Sequence, residues 1–591
     1  MKKVLLLFVV LTILIPLKSF FPQTLSDYIS EVREDTLVVK DYSEMNDQPN
    51  SLYWVLSLDT ANVPAGRVYE LRANGYYPNY YTTNSSANHT TVIVGEDTTR
   101  LVNNKNANSS PPLICIQVAL VDPYPYGIIA GGNLTIKNCE LSTADIAGST
   151  GWLFSITSDS NLNLLFENCL FEHTQWAFVV LDNPNCNVTF RDCYFVNMNG
   201  YPCGRDGGVL DCFADQDTLL VENCTHIMAQ GNMYSFKDFP FKRIIINHNT
   251  FINCAGYVFM NQGYQNNVAL VSNIFVNCNV QAYPAFHPID SLEQDPDGLP
   301  IGLVNVYDSA EALIRFYVDE NLIYWDPTLT NSTNGVIETL NANAVNGITT
   351  WQSQMLTMNA RTQLMFDDDA TYSNLTEPEG AWIRDMMPAF TDPQDLFTTQ
   401  LANLKAFAIS IADTTSTAVL PDWRLVNTAP DMFVNPDWPI PVDLSYSDAD
   451  LMTAGLGDFP VGDLNWFPSQ KAAWLAQRDA EYEKIDFWEW PMPPIVIERV
   501  NSSSLEFRLQ QNYPNPFNPG TTIRFTIPKA GYVTLKVYNT LGEEVATLLD
   551  GFKSARSYEI RFDGTGLPSG VYIANLTAGN YNKSIKLVLL K

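Results

Sequence analysis

Six segments of the chain repeat one phrase: an alternating apolar run, a polar turn residue, then a second short run. They are NLTIKNCELS from Asn133, LNLLFENCLFEH from Leu162, NVTFRDCYFVN from Asn187, TLLVENCTHIM from Thr218, RIIINHNTFINC from Arg243 and NVALVSNIFVNC from Asn267. Matched on the turn residue, they align Asn138, Asn168, Asp192, Asn223, Asn249 and Asn273 at intervals of 30, 24, 31, 26 and 24 residues. One such unit has an apolar face that it cannot bury alone, whereas stacked units share one continuous core and pair every strand edge except those at the ends. The repeat therefore predicts an all-β chain wound as a parallel β-helix, with the unequal intervals absorbed by loops that leave the stack. Asparagine suits the turn because it tolerates the left-handed backbone region, and its stacked side chains can form a ladder. A β-sandwich also has short strands, but it does not require a phrase that recurs in register.

The residue after each turn, Cys139, Cys169, Cys193, Cys224, Thr250 or Ile274, reads as a stacked core position. All ten cysteines fall between Cys115 and Cys278, without the CxxC spacing of a metal site or the density of a disulfide framework. Reduced, buried thiols are the expectation; local bridges such as Cys186–Cys193 or Cys203–Cys212 compete with it.

The coils are expected over residues 51–470, after a polar lead-in at 21–50. SLYWVLSL, RVYELRANG, TTVIVGE and PLICIQVAL supply early strands, and residues 351–420 interrupt the pattern with a helix from about Gln394 to Ile411 that starts near Asp392 or Asp395. PDMFVNPDWPIPVDLSYS and MTAGLGDFPVGDLNWFP read as final coils, and residues 471–490 as a helix that caps the last open edge. PMPPIV then opens a linker at 491–502.

Met1 to Phe20 pairs Lys2 and Lys3 with the apolar run Val4 to Pro16, the pattern of a secretory signal peptide, and no later run is long enough to span a membrane. The net charge of -30 argues against nucleic acid or an anionic bilayer as partner. That charge is unevenly spread, since Asn501 to Lys591 carries ten basic and six acidic residues. Six alternating strands over 503–591, separated by PKAG, LGEE and LPSG turns, predict a small β-sandwich.

This C-terminal segment carries ordered motifs: QNYPNPFNPGTTIRFTIP from Gln511, VYNTLGEEVATLL from Val537, GLPSGVYIANL from Gly566 and the terminal KLVLLK. It resembles the C-terminal type A sorting domain of type IX secretion cargo in Bacteroidota, Ignavibacteria and their relatives, with Asn512, Pro514, Asn515, Pro516, Phe517, Asn518, Pro519 and Gly570 as its motif positions. The resemblance implies export, passage across the outer membrane, and release or attachment at the cell surface through secretion and surface-attachment machinery. It covers delivery and leaves the activity of the body open.

Right-handed β-helices resemble pectin lyase-like proteins that act on polysaccharides, and they also resemble passive surface proteins. A lyase needs carboxylates that hold Ca²⁺ and a basic residue; a hydrolase needs two paired carboxylates. The richest cluster is GRDGGVLDCFADQD, with Arg205, Asp206, Asp211, Asp215 and Asp217, followed one coil later by His226. Arg205, Asp206, Asp211, Asp215 and His226 are the candidate catalytic residues. Asp206, Asp211, Asp215 and Asp217 are the candidate ligands for Ca²⁺, the only cofactor considered. Neither enzyme pattern is complete, so the leading expectation is a structural, adhesive or self-assembling surface protein. A calcium-dependent lyase or hydrolase and a neutral-glycan binder are the alternatives. Aromatics such as Tyr76 to Tyr81 and Trp176 supply stacking faces for the latter.

Overall fold

The computed structural model describes residues 24–487 and 507–591, apart from 61–62, 80, 86–88, 97–109, 117–125, 144–152, 175, 199–207, 238, 262–266, 285–297, 307–314, 369–370, 373, 414–415, 422, 424–439, 528–530, 554–556 and 579–580. The expected signal peptide and the whole of the expected linker lie outside these residues. The chain divides into two compact units, Met1–Pro491 and Met492–Lys591.

The first unit is a three-sided parallel β-helix. Each coil sends a strand through a first sheet of 12 strands, a second of 10 and a third of 7, then returns to the first. Neighbouring coils pair in parallel, as in Leu164–Val188–Leu219–Ile244–Val268 along the first sheet. The exception in these sheets is the opening hairpin of Ile29–Arg33 with Thr36–Val39, which is antiparallel. Alternate residues point inward, so Leu164, Phe166, Val188 and Phe190 fill the bore while their neighbours face out. One interior column runs Phe171, Phe195, His226, Phe251 and Phe275, with stacked rings 4.7, 4.6, 4.1 and 5.0 Å apart. Each buried phenylalanine of the column contributes roughly 1.5–3 kcal/mol of transfer free energy, set against the cost of ordering it.

The corner between the first and second sheets corrects the alignment expected from sequence. Residues with left-handed backbone there are Asn138, Asn168, Asp192, Asn223, His248, Ser272 and Glu320, with φ between 51° and 56°. Asn249 and Asn273 therefore do not occupy the turn. Strand pairing of Thr225 with Thr250 and of Thr250 with Ile274 places them one residue later, in the column of Cys139, Cys169, Cys193 and Cys224. Thr250 and Ile274 in turn leave the expected inner stack: they open strands of the second sheet, and Ile274 packs in the outer cluster with Leu170 and Tyr194.

The inner column consequently changes chemistry midway. Cys139, Cys169, Cys193 and Cys224 are fully buried. From the next coil on, asparagines take over: Asn249 Nδ2 donates to Asn273 Oδ1 at 3.0 Å, and Asn273 Nδ2 donates to Asn321 Oδ1 at 2.9 Å. Asn273 Oδ1 also accepts from the Asn249 backbone at 2.9 Å, so the ladder satisfies main-chain groups too. The nine described cysteines are all free and buried; neither Cys186, Cys193 nor Cys212 is bridged, and Cys203 lies outside the described residues.

The ends and outer faces differ from expectation. SLYWVLSL is a helix, Ser51–Leu58, whose Leu52, Val55 and Leu56 join the interior core. Its buried residues, Ser51, Leu52, Val55 and Leu56, fall at positions one, two, five and six of the segment, a helical spacing that overrides the β-former Val55. The first coil begins within the expected lead-in, since Thr36–Val39 pairs in parallel with Val68–Leu71. The last coil uses Leu375–Thr376 and Trp382–Arg384, inside the expected interruption. Helix Ala360–Phe366 contributes Met365 and Phe366 to the same interior core.

Residues 440–467 form no further coils. They lie with helices Val336–Asn343 and Thr399–Ser410 over the outer face of the second sheet, where Leu404, Phe407, Leu444 and Trp466 cover Leu170, Ile252 and Val276. Helix Pro468–Phe487 is not a cap over the last coil but a strap along the outer face of the first sheet. Its Ile485 and Tyr482 pack on Ile245, Ala269 and Val271. These outward-facing residues are apolar, and the returning chain shields them from water.

The second unit is a small antiparallel β-sandwich. A three-stranded sheet (Arg508–Leu509, Gly520–Thr526, Ser557–Asp563) and a four-stranded sheet (Gly531–Tyr538, Glu544–Lys553, Gly570–Ala578, Tyr581–Leu589) share one core that includes Ile523, Phe525, Leu535, Val537 and Leu587.

Candidate functional site

The sequence-selected acid and base residues do not converge. Arg205 and Asp206 lie outside the described residues, in the connection 199–207 from the second sheet to the third. His226 is fully buried inside the bore, sandwiched between Phe195 and Phe251, with a ring nitrogen 2.9 Å from Tyr234 Oη. Burial lowers its pKa to about 3, so it is a neutral core residue and not an accessible base. Asp215 is exposed in the turn back to the first sheet, and Asp217 is ion-paired with Lys242 at 2.5 Å. Among the described residues, no group of three or more His, Cys, Asp and Glu is placed to hold a metal ion.

Asp211 is different. It sits on strand Gly208–Cys212 of the third sheet, where Val209, Leu210 and Cys212 join the interior core and Asp211 stands outside it. Its Oδ2 accepts from Trp176 Nε1 at 2.7 Å, and Lys237 Nζ lies 2.8 Å from its Oδ1. The register explains the meeting: Asp211 is paired with Val180 on one side and Ser235 on the other, so Lys237 is two residues along the adjacent coil. Burial pushes the Asp211 carboxyl up, while Lys237 and the Trp176 indole pull it back. Lys237 Nζ also lies 3.7 Å from the Phe213 ring centroid, a contact of about 0.5–1 kcal/mol at an open site. Phe213 meets Trp176 edge to face at 5.7 Å and stays 38% exposed.

The result is a charge-compensated, partly open patch with two aromatic rings, a donor and an acceptor. Its chemistry suits a polyhydroxy ligand, since ring faces can stack on sugar C–H surfaces and the charged pair can bond to hydroxyls. It does not resemble an acid–base pair poised for transfer, because Asp211 is held by two donors already. Trp176, Phe213 and Lys237 were not singled out as partners of Asp211 from sequence; strand alternation together with the coil register was the usable signal.

Other aromatics divide sharply. Trp351, Trp382, Trp423, Trp466 and Trp474 are buried and serve packing, so no continuous tryptophan row emerges among the described residues. At the first coil Tyr53 meets Trp54 and Tyr81 at 4.9 and 5.1 Å, and Tyr81 is 52% exposed.

A buried charge cluster lies under the strap. Glu222, 1% exposed, accepts from Arg191 Nε and Arg478 Nε, each at 2.7 Å, and from the Tyr482 hydroxyl. Burial works to raise its pKa, but Arg478 and Arg191 outweigh that and hold it below the usual carboxylate range. Glu481 is similarly occupied by Asn247 Nδ2 at 2.7 Å and Trp474 Nε1 at 2.8 Å. Every charge here is consumed in fastening the strap to the first sheet.

In the C-terminal sandwich the motif residues form one lock. Asn512 Nδ2 donates to Thr521 Oγ1 at 2.8 Å, and Asn515 bridges Lys586 O and Val588 N. Phe517 is 2% exposed and exchanges backbone bonds with Val588 of the last strand and with Leu590 just after it. Pro519 O accepts from Gly564 N, and Gly570 pairs with Leu589. Pro514 O accepts from Thr521 Oγ1 at 2.7 Å, with Pro516 and Asn518 in the same segment.

Comparison with known families finds a match within each unit. Residues 127–287 match the family described as right handed beta helix region, and residues 511–590 match the secretion system C-terminal sorting domain. The chain is a right-handed β-helix carrying a secretion sorting domain. That tail directs it through the type IX system to the cell surface or the extracellular space. Comparisons with curated proteins and with solved structures returned no match.

Proposed function

We propose that the secreted β-helix is an adhesive surface protein that holds extracellular material without turning it over. The observation that supports this most is the state of Asp211. It is the one described member of the candidate acid–base set on the outer face of a sheet, and at 5% exposed it is held by Lys237 and Trp176 beside the exposed Phe213 ring. Such a patch favours retention over proton transfer. The Trp176 and Phe213 rings favour a neutral glycan as the retained class, because stacking needs no ligand charge and the protein is strongly acidic.

The test is a polysaccharide panel presented to the mature protein with and without Ca²⁺, read by retained ligand, reducing ends and unsaturated products. Saturable retention of neutral glycans without product, weakened by Phe213→Ala, is the expected outcome. Product formation that needs Arg205 or Asp206 would replace this reading with an enzyme, and particle growth without any glycan would replace it with self-assembly.

A further inference from the structure

Lys471 is one of the few buried lysines, 7% exposed at the start of the strap helix. Its Nζ lies 2.7 Å from Asp192 Oδ1, on the corner of a coil 279 residues earlier by sequence number. It also lies 2.5 Å from Asn465 Oδ1. The Asp192 oxygen is sealed from solvent without a well-aligned hydrogen-bond donor. A second acid completes the group: Asp463, 1% exposed, accepts from Thr225 Oγ1 at 2.7 Å and from the Asn465 backbone at 2.8 Å. The rings of Tyr194 and Trp466, adjacent to this cluster in sequence, are both buried and meet edge to face at 6.2 Å, while the Asp192 side chain is 19% exposed.

A buried amine held against a carboxyl, with a further acid beside them in an apolar setting, is the arrangement an amide condensation requires. Proximity supplies most of the activation, since the reacting groups are already within contact distance. From these contacts we infer that Lys471 and Asp192 join in an intramolecular isopeptide bond that fastens the strap to the β-helix covalently.

The step balances without any co-reactant. The Lys471 ammonium gives a proton to the Asp192 carboxylate, leaving an amine and a carboxylic acid. The amine nitrogen bonds to Asp192 Cγ, the Cγ–OH bond breaks, and the hydroxyl leaves as water with the second amine proton. Asp463 relays that proton; burial raises its pKa to about 7, so it holds a proton near neutrality. Nothing is oxidised or reduced.

The measurement is the intact mass of the mature wild-type protein, fully reduced and denatured, with its N-terminus defined. A deficit of about 18 Da against the sequence is expected, as is a tryptic species joining Asp192–Arg205 to residues 425–478. Lys471→Arg, which keeps the charge but cannot form the bond, should restore the full mass and separate the two peptides. Asp463→Asn should leave most molecules unjoined after the same maturation time. An unshifted wild-type mass with separate peptides would overturn the bond and leave an ion pair. A deficit of about 17 Da, from ammonia loss at Asn465, would overturn the choice of Asp192.

Discussion

The first and third sheets of the β-helix both carry carboxylates on their outer faces, yet they use them in opposite ways. On the first sheet Glu222 is sealed beneath the strap between Arg191 and Arg478. On the third, Asp211 is paired with a single lysine beside a ring that remains 38% exposed. A carboxylate sealed between two guanidinium groups is a fastening, because its removal strands two cations in a dry place. Asp211 is itself only 5% exposed, so what the third sheet leaves open to a ligand is the Phe213 ring beside the neutralised pair. The contrast says where to look for binding: on the face whose charges are not consumed by the returning chain.

The comparison makes graded demands. Glu222→Ala should cost about 3–5 kcal/mol in denaturant unfolding, since Arg191 and Arg478 lose their shared buried partner. Asp211→Ala should cost about 1–2 kcal/mol, because Lys237 can turn toward water. Equal losses at the two sites would erase the distinction between fastening and open patch.

Proton linkage gives a second handle on the covered faces. Asp463 has a folded pKa near 7 against an ordinary value of 3.8, so the folded state binds the extra proton between those limits. Its contribution is fully present below about pH 4 and is lost as pH rises through about 7, an effect of roughly 2–4 kcal/mol. Asp463→Asn should therefore flatten this part of the stability–pH curve. His226 runs the other way: its folded pKa of about 3 lies below the ordinary 6.5, so the unfolded state takes the proton first and stability falls as pH drops from about 6.5 towards 3. His226→Phe, which extends the aromatic column, should remove that acid sensitivity, measured as the difference between the two proteins' melting temperatures across pH. A loss of glycan retention in this variant without a change in stability would return His226 to the candidate site.

Much of the fold was legible because stacking forces a period on the sequence. What misled was chemical identity at one corner. Asn249 and Asn273 look like the earlier turn asparagines, but the pairing of Thr225 with Thr250 fixes the register and puts His248 and Ser272 at the turn. The same register places His226 in line with Phe195 and Phe251, so its burial was readable from the phrase once the strands were aligned on the core. The strap was not readable in this way. A helix with mixed charges fits an end as well as a face, and the deciding contacts, Arg478 with Glu222 and Glu481 with Asn247, span more than 200 residues. The open patch was hidden for a related reason: Trp176, Asp211 and Lys237 are brought together only by the lengths of two coils.

The smallest expected effect concerns the cysteine column. The nine described thiols should resist an aqueous thiol reagent in the native protein and react together on unfolding, because all are buried out of reach, and burial also pushes the Cys169 and Cys193 thiols up. Selective native labelling of Cys169 or Cys193 would show that the bore opens locally.

The most direct test of the account is glycan retention by wild type, Phe213→Ala and Glu222→Gln, measured alongside product formation and melting temperature. The account predicts that Phe213→Ala weakens retention at least tenfold with little change in melting temperature, that Glu222→Gln lowers the melting temperature while folded molecules still bind, and that no product appears. Undiminished retention by Phe213→Ala, or cleavage of the bound polysaccharide, would contradict it.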